Sequence, residues 1–314
     1  MRLSAAAERF DGGTADRPSP RPQGGGAPPG RREGTPPRVR LTLIEVLRRA
    51  TGHLGAHGSA SPRLDAEVLL AHVLGLRRLD LYLQHDRPLG EAELAPYREL
   101  IARRARGTPV AYLVGHREFM KLDFEVTPAV LVPNPDTEVL VERAVSWARE
   151  RGRPVRVADV GTGSGCIAIA VAHYLPGATV WATDDDPAAL AVAERNVRAH
   201  GLEERVRLLC GDLVDPLPEG LDLICANLPY VPEGTALPPE VLAQPARALF
   251  AGDGGVALVN RLLAGAPARL AAGGTVLAEI DPSLQHRLHL EPYAGHRFHR
   301  DLSGRTRVVE AWIS

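Results

Sequence analysis

The chain has 314 residues, of which 24% are charged and 45% apolar, and its formal net charge is −1. Those values fit a soluble globular protein of about two domains, on the prior of roughly 150 residues for each. No apolar stretch approaches the ~18 residues of a membrane span and no secretory h-region is visible, so no membrane partner is expected. Cys166, Cys210 and Cys225 are odd in number and lack CxxC spacing. Neither a disulfide framework nor a zinc site is implied, and a reducing cytoplasm fits.

Residues 1–40 stand apart, with seven Gly, seven Pro and eight Arg against four acids. So little apolar surface cannot offset the entropy of ordering, so a disordered tail is expected. Removing its +4 leaves about −5 on the remainder, with no basic block to track a phosphate backbone. Stable nucleic-acid binding is therefore not expected.

Residues 41–108 read as a small helical domain. Thr42 and Glu45 form a capping box ahead of Leu43, Leu47, Ala50 and Leu54 at helical spacing. Ser61-Pro62 opens a second helix that Gly75 closes, and a third runs from about Glu91 to Arg106. Residues 109–135 change character. Glu118–Val126 alternates with period two, and Thr127-Pro128 is expected to turn the chain into Val130–Pro133, a hairpin-like connector.

From 136 to 314, after a first helix, strands and helices alternate. Strands are expected over Val155–Val160, Thr179–Thr183, Val206–Cys210, Leu221–Ala226, Thr275–Ile280 and Arg307–Ile313. Helices are expected over Cys166–Leu175, Pro187–His200 and Gly255–Leu270. Apolar strands alternating with helices imply an α/β fold with a parallel, doubly wound sheet.

Two features carry chemistry. Gly161-Thr162-Gly163-Ser164-Gly165 joins the first strand to its helix, where glycine lets a ligand approach the backbone and the helix N-terminus favours an anionic group. A dinucleotide fingerprint would want Gly or Ala at Cys166, so NAD fits poorly, whereas the tighter spacing suits S-adenosylmethionine. Asp184, at the end of the second strand, is placed to hold ribose hydroxyls, with Asp185 and Asp186 as competing helix caps. Asp212, after the third strand, is the expected neighbour of an adenine or else a solvated loop acid.

The second feature is Asn227-Leu228-Pro229-Tyr230 at the end of an apolar strand. Asn227 offers a side-chain carbonyl, Leu228 a main-chain carbonyl, Tyr230 an aromatic face, and Pro229 stiffens the turn. Together these suit a planar NH2 group. A plain strand-ending turn uses the same residue types, and it is the glycine loop that favours chemistry. His286, His289, His296 and His299 make two HxxH pairs beside arginines, which read as solvated rather than metal-binding.

GTGSG, then Asp184, then NLPY, behind a helical domain, resembles the release factor glutamine methyltransferases over residues 42–314. The connector Val132-Pro133-Asn134-Pro135-Asp136-Thr137-Glu138 and the run Arg103, Thr108-Pro109-Val110, Tyr112-Leu113, Gly115 and Glu118-Phe119 belong to the same likeness. The resemblance implies a seven-stranded class I methyltransferase domain with a substrate-recognition helical domain. It also implies S-adenosylmethionine as cofactor and a release factor's Gly-Gly-Gln loop as substrate. By position, Gly161–Gly165, Asp184, Leu213 and Asn227 would contact the cofactor, and Asn227–Tyr230 would hold the glutamine. Four positions depart from the family pattern: Leu228 for Pro, Asn134 for Arg, Gln244 for an acid, and Asp281 for Gly. Asn-Leu-Pro-Tyr also resembles adenine-N6 methyltransferases acting on rRNA or DNA, and a paralogue acting on glutamine in another protein stays open.

Overall fold

The computed structural model describes residues 41–314. The tail expected over 1–40 lies outside the described residues. Helices α1 (Leu43–Ala56), α2 (Pro62–Leu74), α3 (Arg78–Leu83) and α4 (Glu91–Ala105) come first, then a short α5 (Val110–Val114). The Thr42 N–H donates to Glu45 Oε2 at 2.8 Å, completing the box that starts α1. Gly75 ends α2 in the left-handed conformation, at φ +63°. Leu43, Leu54, Leu69, Leu70, Leu81 and Tyr97 close a separate hydrophobic core. The face of α4 that buries Leu94, Tyr97 and Ile101 also buries Arg104, a cation on an apolar stripe.

The hairpin is real but displaced from its expected turn. Strands β1 (His116–Phe119) and β2 (Leu122–Glu125) pair antiparallel, and the chain reverses at Met120-Lys121. Both turn residues have positive φ, 51° and 60°. Residues 130–133 form no strand, because they pass over α8 and the site instead of pairing.

Beyond α6 (Glu138–Glu150) the chain alternates through β3 (Arg156–Val160), α7 (Cys166–Tyr174), β4 (Thr179–Asp184), α8 (Pro187–Ala199), β5 (Val206–Cys210) and β6 (Leu221–Ala226). Strand β7 (Val231–Pro232), helix α9 (Pro239–Leu242) and strand β8 (Phe250–Ala251) form a side excursion, β7 pairing with β8. Helix α10 (Ala257–Gly265) and strands β9 (Leu270–Glu279), β10 (Gly295–Arg300) and β11 (Thr306–Trp312) finish the fold.

Seven strands form one sheet in the order β10-β11-β9-β6-β3-β4-β5. It is mixed rather than wholly parallel, since β11 runs antiparallel to both β9 and β10. Helices cover both faces, so central strands are apolar on both sides. Val157, Leu223 and Cys225 join one core, and Ala158, Val160, Ile224 and Ala226 join the other. Chain direction across the sheet reverses at β3, with β4 on one side and β6 on the other. Ligands gather at the carboxyl edge of such a switch point. There Val160 is in register with both Thr183 and Ala226, so the residues after these strands converge.

Candidate active site

Gly161 follows β3 and Asn227 follows β6, and the two turns touch. A Cβ on Gly161 would come within 2.8 Å of Leu228 Cδ2, and Gly161 has φ +73°. Only glycine meets both demands without strain. Leu228 is buried in that contact, so the leucine in place of the usual proline packs the two turns together.

Beneath the loop, Asp159 is fully buried. Its Oδ2 accepts from Thr162 Oγ1 at 2.6 Å and from the Ala168 N–H at 3.1 Å, while Oδ1 has no partner. Burial pushes its pKa up to about 7, against the hydrogen bonds that lower it. Asp159 was not picked out from the sequence. Its signal was a lone acid in an apolar strand, two residues before a glycine loop. Asn196 is a second such residue: its Nδ2 donates to Ser164 O at 2.8 Å and to Glu125 O at 3.0 Å, tying the loop to the hairpin.

Asp184 closes β4 beside the loop. Its Oδ2 accepts from the Gly163 N–H at 2.9 Å and its Oδ1 from the Asp186 N–H at 3.0 Å. Burial raises its pKa, with the two N–H groups opposing. Asp186 caps α8 through the Ala188 N–H, and both Asp185 and Asp186 pair with Arg247 at the edge of the cavity that Asp184 lines. Asp212 pairs with Arg261 and Leu213 accepts from Thr183 Oγ1.

Asp184, Asp212, Leu213 and the loop residues Gly161–Ser164 line one cavity that opens to solvent. Gly165 does not line it: the residue starts α7 at φ +82°, packed against Ile169 and Ala193. A second cavity holds Tyr230 and Glu279, together with Asp65 and Arg104 from the helical segment. Asn227, Leu228 and Pro229 line both. The sequence showed nothing catalytic in the helical segment, yet Arg104 bridges Asp65 at 2.7 Å and Glu240 on α9, closing this cavity's wall.

Asn227 Nδ2 donates to Thr137 Oγ1 at 2.9 Å, and Tyr230 donates its hydroxyl to Glu279 Oε1 at 3.2 Å. Thr137 and Glu279 are both buried. Three departures find local uses. Gln244 Oε1 accepts from the Val132 N–H at 2.9 Å, as a carboxylate oxygen would. Asn134 accepts from the Asp136 N–H. Asp281 caps the following turn through the Ser283 N–H with φ −72°, a conformation that needs no glycine. His299 is not solvated: its side chain is 15% exposed and its Nε2 lies 2.6 Å from Glu310 Oε2. Among the described residues no group of His, Cys, Asp and Glu is arranged to hold a metal, and no helix is long and apolar enough to cross a membrane.

The sheet order, the glycine loop and the strand-end carboxylate define a class I methyltransferase fold. Residues 136–271 match the methyltransferase small domain, and residues 45–115 match the PrmC N-terminal domain. The chain is 46% identical over 243 residues to the release factor glutamine methyltransferase of Moorella thermoacetica, covering 76% of this chain and 86% of that one. It is 40% identical over 280 residues to the enzyme of that name from Mycolicibacterium smegmatis, covering 86% and 97%. A solved T. thermophilus 16S rRNA N2 G1207 methyltransferase, with AdoMet and guanosine, aligns at TM-score 0.48 and 21% identity over 63% of this chain and 50% of that one. The chain belongs to the release factor glutamine methyltransferase family and is a protein-glutamine methyltransferase.

Proposed function

We propose that this enzyme transfers a methyl group from S-adenosylmethionine to the side-chain amide nitrogen of the glutamine in a release factor's Gly-Gly-Gln loop, in the cytoplasm. The observation that carries the reading is the polarity of Asn227. Its Nδ2 is engaged behind the site by Thr137, which leaves Oδ1 as an acceptor on the wall common to both cavities.

The cofactor-side residues fit an adenosyl group with a charged tail. Each Asp184 oxygen accepts one backbone N–H and keeps a lone pair for a ribose hydroxyl. A Cβ on Gly163 would meet nothing within 4 Å, so the loop leaves open space for a ligand against its backbone. Asp212 and Leu213 would flank the adenine. When bound, S-adenosylmethionine supplies an electrophilic methyl on its sulfonium.

A neutral amide nitrogen is a weak nucleophile because its lone pair is delocalised. Asn227 Oδ1 and the Leu228 carbonyl would accept its two N–H bonds, orienting the group and favouring pyramidal nitrogen. Tyr230 would cover the amide plane and exclude water, and Pro229 would keep the turn stiff. Positioning and hydrogen bonds that strengthen in the transition state then supply the rate. The extra proton leaves the nitrogen through the same acceptors to water.

Methyl-labelled cofactor should mark the glutamine of a release factor and spare a Gln→Ala factor, rRNA and DNA. Asn227→Ala should bind cofactor almost normally yet lose transfer by roughly 10²–10³-fold, as when a transition-state hydrogen-bond partner is removed. Label on the mutant factor, or only on adenine, would reject the glutamine assignment.

A further inference from the structure

Strand β1 alternates, with His116 and Glu118 exposed and Phe119 buried. Arg117 shares the inward face with Phe119 and stands opposite Phe124, which is fully buried. The inner face of an otherwise apolar hairpin thus carries a cation. Its Nε is enclosed without a hydrogen-bond partner, and among the described residues its guanidinium makes no hydrogen bond or ion pair. An enclosed N–H with no acceptor is costly, and an apolar side chain of similar length would fill the same place without that cost. Arg117 lines the second cavity, yet the carboxylates there are engaged elsewhere. Arg104 pairs with Asp65 and Glu240, and Glu279 accepts from Tyr230.

Resting on the glutamine reading above, we propose that Arg117 anchors the substrate loop, its terminal nitrogens donating to main-chain carbonyls beside the glutamine. Asn227 stands on the wall common to both cavities, so a glutamine that reaches it from the second cavity leaves its own backbone there. Among the described residues lining that cavity, Asp65, Glu240 and Glu279 stand against Arg104 and Arg117, with no surplus of positive charge to draw an acidic side chain. A guanidinium can only donate, and its fork suits a pair of carbonyl oxygens. Glycines beside the glutamine would bring main chain to it with no side chain to bar the approach.

The test titrates the full-length enzyme with a release factor by calorimetry and assays transfer with methyl-labelled cofactor. Arg117→Met should raise Kd and KM for the factor by roughly 10–100-fold, the range for hydrogen bonds from a charged group, with kcat and cofactor affinity little changed. Its melting temperature should hold or rise, because the enclosed Nε is gone. Arg117→Lys should stay well short of wild type, since a point charge cannot fork. The Arg117→Met deficit should be equal at low and high salt, because a carbonyl carries no net charge to be screened. A lowered melting temperature with wild-type KM would show that the arginine only fills space and would overturn the anchor. Wild-type binding in Arg117→Lys would overturn the fork, and a deficit that fades with salt would put a carboxylate in place of the carbonyls. If the wild type labels no glutamine while binding of the factor still depends on Arg117, the methylation reading fails and the anchor stands. A factor that does not bind the wild type at all would overturn both.

Discussion

At the scale of single residues, Asp159 links the glycine loop to pH. Its pKa is about 7 in the folded protein against 3.8 for an ordinary aspartate, chiefly through burial, with Asp184 adding to the rise. Between those values the folded protein holds a proton that the unfolded chain has released. Stability from this group is therefore present below the lower value and is lost as pH rises through the upper one. Urea midpoints of the wild type should fall between about pH 4 and pH 7 relative to Asp159→Asn. The asparagine keeps one oxygen for Thr162 and the Ala168 N–H and never titrates. Parallel pH curves for the two proteins would show that Asp159 is ionised throughout. Residues whose meaning is local were legible in the sequence: Asp184 sits at its strand end and Asn227 opens its turn, as their spacing implied. Thr137 and Glu279 were not, because their partners lie 90 and 49 residues away and no spacing rule connects them.

At the scale of elements, the site is held by the packing of two turns. Gly161→Ala meets both a left-handed backbone and the Leu228 side chain, a cost on the order of 1–3 kcal/mol from the backbone alone. Thermal unfolding should register that loss, and calorimetric titration should register weaker cofactor binding. In a double-mutant cycle with Leu228→Ala the two losses should fall short of adding, since the truncation makes room for the new methyl. Strict additivity would mean the turns do not support one another. The parallel strands were readable to within about a residue at β3, β5 and β6, where apolar runs end in glycine or a turn. The hairpin was misread because Met120-Lys121 carries positive φ without Asn or Gly to announce it. Strand β10 escaped notice because it is an edge strand, and His296, Arg297, His299 and Arg300 hide its single phenylalanine.

At the scale of the whole molecule, Arg104 joins the helical segment to the excursion that carries α9. It is 7% exposed, between Asp65 on α2 and Glu240 on α9. Arg104→Ala would strand Asp65 without its cation, which typically costs about 3–5 kcal/mol. Denaturant unfolding of the full chain should show that loss, and pairing the change with Asp65→Asn should recover part of it. No recovery would mean the destabilisation comes from lost packing of the arginine stem. The sequence allowed a helical segment and a catalytic segment to be told apart by composition and periodicity. It could not show that they share a cavity wall, because the contact joins residues 136 positions apart.

The two halves of that bridge differ in their access to water. The Asp65 side chain is 11% exposed and the Glu240 side chain 37%. Mobile ions screen the outer pair far more than the inner one. Rising ionic strength therefore loosens α9 from Arg104 while leaving the helical segment's own pair intact. The wall of the second cavity thus carries a built-in sensitivity to salt, and Asp184 and the glycine loop, which take no part in the bridge, do not share it. Hydrogen exchange at α9 should quicken with added salt while exchange in α2 and α4 stays level.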